Sequence, residues 1–408
     1  MVTDQQRKIV KETVPVLQTH GETLARHFYE RMFRVNPEVQ AYFNPAHQRS
    51  GSQQRALAGA ILAYAQHIDD PATLSEAVEL IAQKHVSLGI KPEHYPIVGD
   101  NLLASIGEVL GEAATDEIID AWAAAYAKLA EIFIEREKRI CQDQKKVYGW
   151  QGFKPFVVDR REHTSDNITS FYLKAADATP LVAHEPGQYI SIRATFADGQ
   201  AVMRNYSLSN PPGSEYYRIS VKREPAAADD APDGVLSNYL HNHIKAGDRV
   251  ELSPPCGEFT LEIPADTAKP LVFIAGGVGV TPLISMLHQA LKSSNSSRRI
   301  VFIQAALNGA VQAFSGELEA LRTDYSNLHV HVCYSAPDDA DRDANRHDSE
   351  GLIDEAMLDQ LIGDQEAAYY FCGPTPMLSH VHALLRKRDV PEDDVHYEFF
   401  GPGSVLAA

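Results

Sequence analysis

The spacing of hydrophobic residues changes twice along the chain and divides it into three parts. In the first part apolar residues recur three or four positions apart, as in 25–33, which is the period of an α-helix. Residues 122–140 predict one long amphipathic helix, and we interpret the polar run 142–146 that follows it as a hinge. The pattern therefore predicts an all-α domain over residues 1–145.

From about residue 154 the hydrophobic period falls to two, which is the period of a β-strand. Turn residues separate four short predicted strands, at 156–158, 168–173, 189–192 and 217–221. Short strands without long helices between them are typical of a small antiparallel barrel, here a Greek-key barrel over residues 150–265. We expect residues 225–234 to form a flexible loop.

In the third part short apolar strands alternate with helical segments. The predicted strands lie at 271–275, 300–304, 328–334 and 369–372. This alternation predicts an α/β domain over residues 268–408, with a parallel sheet and helices on both faces. The acidic stretch 336–350 contains no aromatic residue, and we interpret it as a solvated loop.

Composition narrows the possible partners and location. The chain has 408 residues, and its 37 basic and 55 acidic side chains give a formal charge of −18. Such an acidic protein is not expected to bind nucleic acid as a whole. Four scattered cysteines and the lack of an uncharged apolar run of membrane length favour a cytoplasmic protein without a membrane span, and we expect a monomer.

A glycine turn follows the first predicted strand of the α/β domain. Residues 276–282 contain three glycines and lead into an apolar helix, with Thr281 as the expected N-cap and Pro282 in the first turn. Glycines allow close approach of a pyrophosphate, and a helix N-terminus offers it free N–H groups. A tight turn without a ligand explains the same residues, so the motif alone leaves both interpretations open.

Five further motifs surround this turn and carry a family resemblance. They are residues 187–189 (GQY), 204–207 (RNYS), 234–237 (GVLS), 372–374 (CGP) and 397–402 (YEFFGP). In this order they resemble the ferredoxin-reductase family of FAD- and NAD(P)H-binding modules. The resemblance implies FAD contacts from Tyr189, Arg204, Asn205, Tyr206, Ser207, Ser237, Glu398, Phe399, Phe400, Gly401 and Pro402. It implies NADH or NADPH contacts from Gly277, Val278, Gly279, Val280, Thr281 and Pro282.

One of the seventeen histidines lies on a buried helical stripe. His85 continues the apolar positions Ala77 and Ile81 and is followed by Leu88. A lone histidine on such a face is usually a hydrogen-bonded core residue, but polar residues elsewhere in the helical domain could surround it. A polar ring around one buried imidazole is typical of a haem ligand.

Residues 27–33 (HFYERMF), 83–99 (QKHVSLGIKPEHYPIVG) and 132–137 (IFIERE) make the helical domain resemble the globin domain of flavohemoglobins. With the reductase motifs the resemblance covers the whole chain. It implies haem b with His85 as the proximal iron ligand. It also implies Tyr95 and Glu137 as partners of that histidine, Tyr29, Gln53 and Leu57 in the distal pocket, and Lys84 as a residue that tunes the redox properties.

The resemblance implies a nitric oxide dioxygenase that takes NO and O2 as substrates and detoxifies NO to nitrate. NADH or NADPH supplies a hydride, and FAD divides the two electrons for the haem iron. Residues 304–308 contain no arginine for a 2′-phosphate, which favours NADH. Two alternatives remain open: a globin that stores O2 or senses NO, and a flavin diaphorase in which haem is incidental.

Overall fold

The computed structural model describes residues 2–196, 199–225, 234–263, 269–293 and 298–401. The chain divides into two compact units. The first comprises Met1–Phe153 with the segments Arg193–Arg204 and Gly401–Ser404, and the second comprises the remainder. The predicted loop 225–234 lies mostly outside the described residues, as does Pro402.

Residues 2–153 form the predicted helical domain. Its helices are α1 (Asp4–Glu12), α2 (Val14–Val35), α3 (Pro45–Arg49), α4 (Ser52–Gln66), α5 (Ser75–Leu88), α6 (His94–Leu110) and α7 (Asp116–Tyr148). The apolar faces of α2, α4, α6 and α7 meet in one buried cluster that includes Phe28, Ile61, Leu102 and Trp122. A smaller cluster joins α5, α6 and α7, and it surrounds the predicted iron ligand.

The expected hinge at 142–146 is wrong, because α7 is one helix of 33 residues that runs through it. The run contains glutamine and lysine, which favour helix, and no glycine or proline. The helix ends at Gly149, whose φ of 85° lies in the left-handed region that favours glycine. At its other end, the Thr115 hydroxyl accepts a hydrogen bond from the backbone N–H of Ile118.

Six antiparallel strands follow. They are β1 (Lys154–Ser165), β2 (Ile168–Ala175), β3 (Tyr189–Thr195), β4 (Ala201–Ser207), β5 (Tyr217–Lys222) and β6 (Arg249–Leu252), and helix α8 (Val235–His243) lies between β5 and β6. Their order in the sheet is β4-β3-β6-β1-β2-β5. A bridge between Leu208, directly after β4, and Ile219 in β5 brings the two edges together and closes the predicted barrel.

The last part is the predicted α/β domain. Its strands are β7 (Leu271–Gly276), β8 (Ile300–Ala306), β9 (Leu328–Tyr334), β10 (Ser349–Glu350), β11 (Ala368–Cys372) and β12 (Val395–Glu398). They form a parallel sheet in the order β10-β9-β8-β7-β11-β12. Its helices are α9 (Val280–Ser293), α10 (Ser315–Asp324), α11 (Asp339–Asp343), α12 (Glu355–Leu361) and α13 (Thr375–Lys387).

Both faces of this sheet are covered, as the sequence predicts. Helices α9 and α10 pack on the side of Phe273 and Phe302, while α12 and α13 pack on the side of Ile274 and Ile303. Alternate residues of each strand therefore enter different cores, which explains why the strands are apolar throughout.

The stretch 336–350 is largely exposed to solvent, as its composition predicts, but it is not a loop throughout. It contains helix α11 and strand β10. Asp338 and Asp341 form a capping box at the start of α11, and Asp341 is fully buried. One Asp341 carboxyl oxygen also accepts a hydrogen bond of 3.1 Å from the backbone N–H of Gly309. Asp338 and Asp341 therefore cap backbone N–H groups, while Asp339 between them is fully exposed to water.

Candidate functional site

A histidine, a glutamate and a tyrosine from three different helices meet in the helical domain. His85 lies near the end of α5, Tyr95 in the first turn of α6 and Glu137 in the middle of α7. His85 Nδ1 lies 2.8 Å from Glu137 Oε1 and 3.2 Å from the Tyr95 hydroxyl, which donates to the same glutamate oxygen at 2.5 Å. The structure thus brings together three residues that the sequence analysis predicts as one site.

This arrangement leaves one imidazole nitrogen for a ligand. Glu137 is 5% exposed and accepts hydrogen bonds from both neighbours, so His85 carries its proton on Nδ1. Among the described residues, Nε2 makes no hydrogen bond. The ring is about one third exposed, and Phe133 packs against it with ring centroids 5.7 Å apart. An oriented imidazole with a free Nε2 fits an axial ligand of haem iron.

Tyr95 acts as a neutral hydrogen-bond donor. Burial, and after it the charge of Glu137, raises the pKa of the Tyr95 hydroxyl far above its ordinary value. The backbone around it is fixed because the Tyr126 hydroxyl donates to the Tyr95 carbonyl oxygen at 2.7 Å. The ring of Tyr126 packs closely against Gly99, one helical turn after Tyr95, and this contact holds the Tyr126 ring in place.

The predicted distal residues form a second cluster, around Tyr29 of α2. Tyr29 is 4% exposed, and Phe28, Phe33 and Phe43 surround its ring with centroids 5.0–5.8 Å away. Burial raises the pKa of Tyr29, and a hydrogen bond with Gln53 of α4 offsets only part of that effect. The hydroxyl therefore stays protonated at neutral pH and can donate a hydrogen bond. Leu57, one helical turn after Gln53, packs at the edge of the same core.

Lys84, next to His85 in sequence, has a hydrogen-bond partner close to the end of the described chain. Its ammonium group donates to the carbonyl oxygen of Gly401 at 2.8 Å, and Gly401 belongs to the same compact unit. The sequence analysis missed His47 of α3, whose pKa falls to about 4 through burial and the positive charges of Arg204 and Lys84. No motif indicates His47, because its neighbours here come from distant parts of the chain.

The barrel holds the residues predicted to contact FAD. On β4, Arg204 and Tyr206 share one face and are both half-buried. Asn205 and Ser207 share the other face, where Asn205 is exposed and Ser207 is buried. The Ser191 hydroxyl of β3 donates to Asn205 Oδ1 at 2.8 Å. Tyr189 packs so closely on Gly257 that a Cβ there would lie 2.8 Å from its ring.

The start of α8 fits a pyrophosphate. Gly234 is its N-cap and gives no side-chain hydrogen bond to the first turn. The Ser237 hydroxyl donates to the Gly234 carbonyl oxygen at 3.1 Å and accepts from the Glu224 backbone N–H, so it stiffens this turn. Because the N-cap Gly234 offers no side chain to the first N–H groups, these groups suit an anionic ligand.

The glycine turn after β7 packs on the end of β11. Gly277 has a φ of 53°, and a Cβ on Gly279 would lie 2.2 Å from the carbonyl oxygen of Cys372. Both glycines are therefore required by the backbone. The predicted N-cap role of Thr281 is wrong: Thr281 is already the second residue of α9, and its hydroxyl donates to the Val278 carbonyl oxygen at 2.9 Å. Val280 and Pro282 are buried in the core, Pro282 within the first turn as predicted.

The last described residues continue the sheet. Glu398 ends β12 and is half-buried, Phe399 packs on the core, and Phe400 is 41% exposed. Cys372 ends the neighbouring strand, where burial and the charge of Glu398 hold the pKa of its thiol well above its usual value. The thiol is therefore neutral and unreactive at neutral pH.

Three family patterns match the chain in the order of its domains. They are the globin family at residues 26–133, the oxidoreductase FAD-binding domain at 155–261 and the oxidoreductase NAD-binding domain at 273–383. No helix within the described part of the chain has the length and apolar character that crossing a bilayer requires.

Several curated proteins called flavohemoprotein match over nearly their full length. The chain is 51% identical to the protein of Rhodopirellula baltica, with all of both chains covered. It is 46% identical to that of Bordetella pertussis, with 99% of this chain and all of the relative covered.

Two solved structures extend this similarity. A flavohemoglobin from Malassezia yamatoensis with bound FAD and haem has a TM-score of 0.82 at 27% identity, with 98% of this chain and all of that chain covered. The FAD/NAD-binding domain of a nitric oxide dioxygenase from Vibrio cholerae has a TM-score of 0.54 at 32% identity, with 61% of this chain and 99% of that chain covered.

Proposed function

Because the chain belongs to the flavohemoprotein family, an oxidoreductase family with haem, FAD and NAD cofactors, we propose that it is a nitric oxide dioxygenase. In this reaction NO and O2 give nitrate, and each hydride from NADH supplies the electrons for two turnovers. The proposal extends to this chain the activity named for the Vibrio cholerae relative. Detoxification of NO would be its role.

One observation carries the proposal, the 2.8 Å hydrogen bond between His85 Nδ1 and Glu137. A buried carboxylate that accepts the Nδ1 proton makes the imidazole a stronger electron donor through Nε2. A globin that only stores or senses a gas has no need of a strongly donating ligand next to a complete reductase. We therefore assign His85 to iron ligation, and Glu137 and Tyr95 to orienting it and raising its basicity.

Bound haem supplies the iron at which O2 and NO react, and bound FAD passes electrons to it singly. On the distal side, the protonated Tyr29 hydroxyl would donate to negative charge that develops on oxygen, with Gln53 orienting the hydroxyl. The surrounding phenylalanines and Leu57 exclude water from this donor. Lys84 lies on the same helix as His85 and would contribute a positive charge that favours the more electron-rich state of a bound metal.

In the reductase part, we assign Tyr189, Arg204, Asn205, Tyr206, Ser207 and Ser237 to FAD, together with the closing segment 398–402. The turn Gly277–Gly279 and the first residues of α9 would hold the pyrophosphate of the nicotinamide cofactor. Residues 304–308, which include the end of β8, contain no arginine that could bind the 2′-phosphate of NADPH. We therefore propose NADH as the donor.

Steady-state NO consumption under NADH and air tests the function. A dioxygenase consumes NO for as long as NADH and O2 last. In a sensor or storage globin, NO consumption would stop after about one NO per haem. In a diaphorase, removal of the iron ligand would leave the activity unchanged. We expect His85→Ala to lower NO turnover by at least about 10³-fold while NADH-driven reduction of a dye is kept. Equal loss of both activities would contradict separate roles for the haem and flavin parts.

A further inference from the structure

A buried ion pair links the barrel to the α/β domain within the second compact unit. Arg218 of β5 directs both terminal nitrogens at Glu317 of α10, with N–O distances of 2.8 and 3.1 Å. The arginine side chain is 7% exposed and the glutamate side chain 24%. Two parallel bonds from a planar guanidinium allow one orientation of the carboxylate only, so this contact fixes direction as well as distance.

Hydrogen bonds within the barrel hold Arg218 in place. Arg218 Nε donates to the Ser209 hydroxyl at 3.1 Å, and a terminal nitrogen donates to the Ser209 carbonyl oxygen. The backbone N–H of Arg218 donates to Asn210 Oδ1 at 2.8 Å. The guanidinium also lies 4.8 Å from the ring centroid of Phe314, the N-cap residue of α10. The barrel contacts therefore hold the guanidinium in place independently of Glu317, and Phe314 adds a second contact to α10.

Glu317 contacts helix α9 as well as Arg218. His288 Nε2 lies 2.6 Å from Glu317 Oε1, and His288 is two helical turns beyond the first residue of α9. Burial opposes ionisation of Glu317, but the His288 hydrogen bond and the Arg218 charge outweigh it and lower the pKa of that carboxyl. The pair therefore stays charged at neutral pH.

A second polar contact holds α9 one turn nearer to its start. The Ser285 hydroxyl donates to the Asn210 carbonyl oxygen at 2.8 Å and accepts from His184 Nε2 at 2.9 Å. Ser285 and His288 are three residues apart and thus share a face of the helix. One direct contact to the barrel through Ser285 and one contact through Glu317 to Arg218 restrict both sliding and rotation of α9, whose first turn follows the glycine turn.

We propose that Arg218 and Glu317 are positioning residues for hydride transfer, which hold α9 and the glycine turn at a fixed place relative to the FAD-binding barrel. Hydride transfer moves two electrons and one proton from NADH to FAD, which leaves NAD⁺ and reduced flavin. Its rate depends steeply on the separation of the two rings, and a displacement of about 1 Å lowers such rates by up to about 100-fold. The proposal holds whether or not NO is the final substrate.

Anaerobic stopped-flow reduction of the FAD by NADH tests the proposal. We expect Arg218→Met to lower the limiting reduction rate by at least about tenfold, while the NADH concentration for half-saturation changes by less than about twofold. Arg218→Lys keeps the positive charge but cannot form two parallel hydrogen bonds to the carboxylate. It should therefore recover only part of the rate. The matched control is Arg322→Met, which breaks an exposed pair with Glu319 on the same helix α10 and should leave the rate unchanged.

Amide hydrogen exchange gives a readout that does not depend on activity. In Arg218→Met the amides of α9 should exchange faster than in the parent chain, with FAD content unchanged. If Arg218→Met does not fold, Glu317→Gln keeps the shape, removes the charge and should slow reduction in the same way. A lower melting temperature with a normal limiting rate, or a loss confined to NADH affinity, would overturn the proposal.

Discussion

The histidine site of the helical domain and the glycine turn after β7 are built in opposite ways. His85, Tyr95 and Glu137 come from three helices, and their side chains alone make the contacts that matter. The glycine turn is seven consecutive residues whose backbone makes the contacts and whose side chains are absent or buried. The first site should therefore respond gradually to single polar substitutions, and the second should fail when a single methyl group is added.

After the loss of the iron ligand His85, the largest effect should follow Gly279→Ala. The new Cβ would lie 2.2 Å from the Cys372 carbonyl oxygen and 2.6 Å from the Gly373 nitrogen, so backbone must move. We expect a loss of ~1–3 kcal/mol in the free energy of unfolding and a fall of about 100-fold in the rate of flavin reduction by NADH. Stopped-flow absorbance at the flavin bands measures that rate.

Gly316→Ala is the matched control for this variant, because no heavy atom lies within 4 Å of a Cβ at that exposed position in α10. It should reduce flavin at the parent rate. A normal rate in Gly279→Ala would mean that the turn does not position the dinucleotide.

The next effect tests the side-chain site. Glu137→Gln keeps the shape of the carboxyl group but removes the charge that accepts the Nδ1 proton of His85. We expect NO turnover to fall ~10–100-fold with haem retained. The iron–histidine stretching band in the resonance Raman spectrum should move to lower frequency, because the imidazole donates less charge. An unchanged band would show that Glu137 does not tune the ligand.

Tyr29→Phe should have a smaller effect, of about fivefold, on the dissociation rate of O2. It removes the distal hydroxyl but leaves the ring packing with Phe33 and Phe43 intact. One hydrogen bond contributes about 1 kcal/mol, which sets that magnitude. Flash photolysis or stopped flow with an O2 scavenger measures the rate, and an unaltered rate would refute the donor role of Tyr29.

The smallest effect concerns a buried histidine beside α9. His184 is 3% exposed, and burial lowers its pKa from 6.5 to about 4. Between these pH values His184 is protonated in the unfolded chain but neutral in the folded chain. The stability that is present above pH 6.5 is therefore lost as the pH falls toward 4. We expect about 1 kcal/mol of this loss between pH 7 and 5.5. Urea unfolding at the two pH values should show a shallower pH slope for His184→Gln, and an equal slope would contradict the assignment.

The comparison of the two sites also explains what sequence could predict. The glycine turn is contiguous, so the strand, glycines and helix that make it are adjacent in the chain and the pattern shows them directly. The periodic stripe through Ile81 predicts a buried His85, but the buried residues of α5 are Ala82, Val86 and Ser87, and the ring of His85 is about one third exposed. Its partners Tyr95 and Glu137 lie 10 and 52 residues away, and only a family resemblance indicates them.

The errors in prediction have local physical causes. Thr281 fails as a cap because the turn tightens into a 3₁₀ helix and α9 starts at Val280, two residues earlier than expected. The run 142–146 stays helical because polar residues alone do not end a helix. The Arg218–Glu317 pair was not predictable, since its members are 99 residues apart and neither belongs to a motif.

The proposed function requires electrons to reach haem iron from a dinucleotide. An anaerobic absorption titration of the purified protein with NADH tests this requirement most directly. We predict a Soret band with flavin absorbance before addition. After addition the flavin bands should bleach and the Soret band should move to the ferrous position. A protein without a Soret band, or one whose haem stays oxidised in excess NADH while the flavin is reduced, would contradict the account.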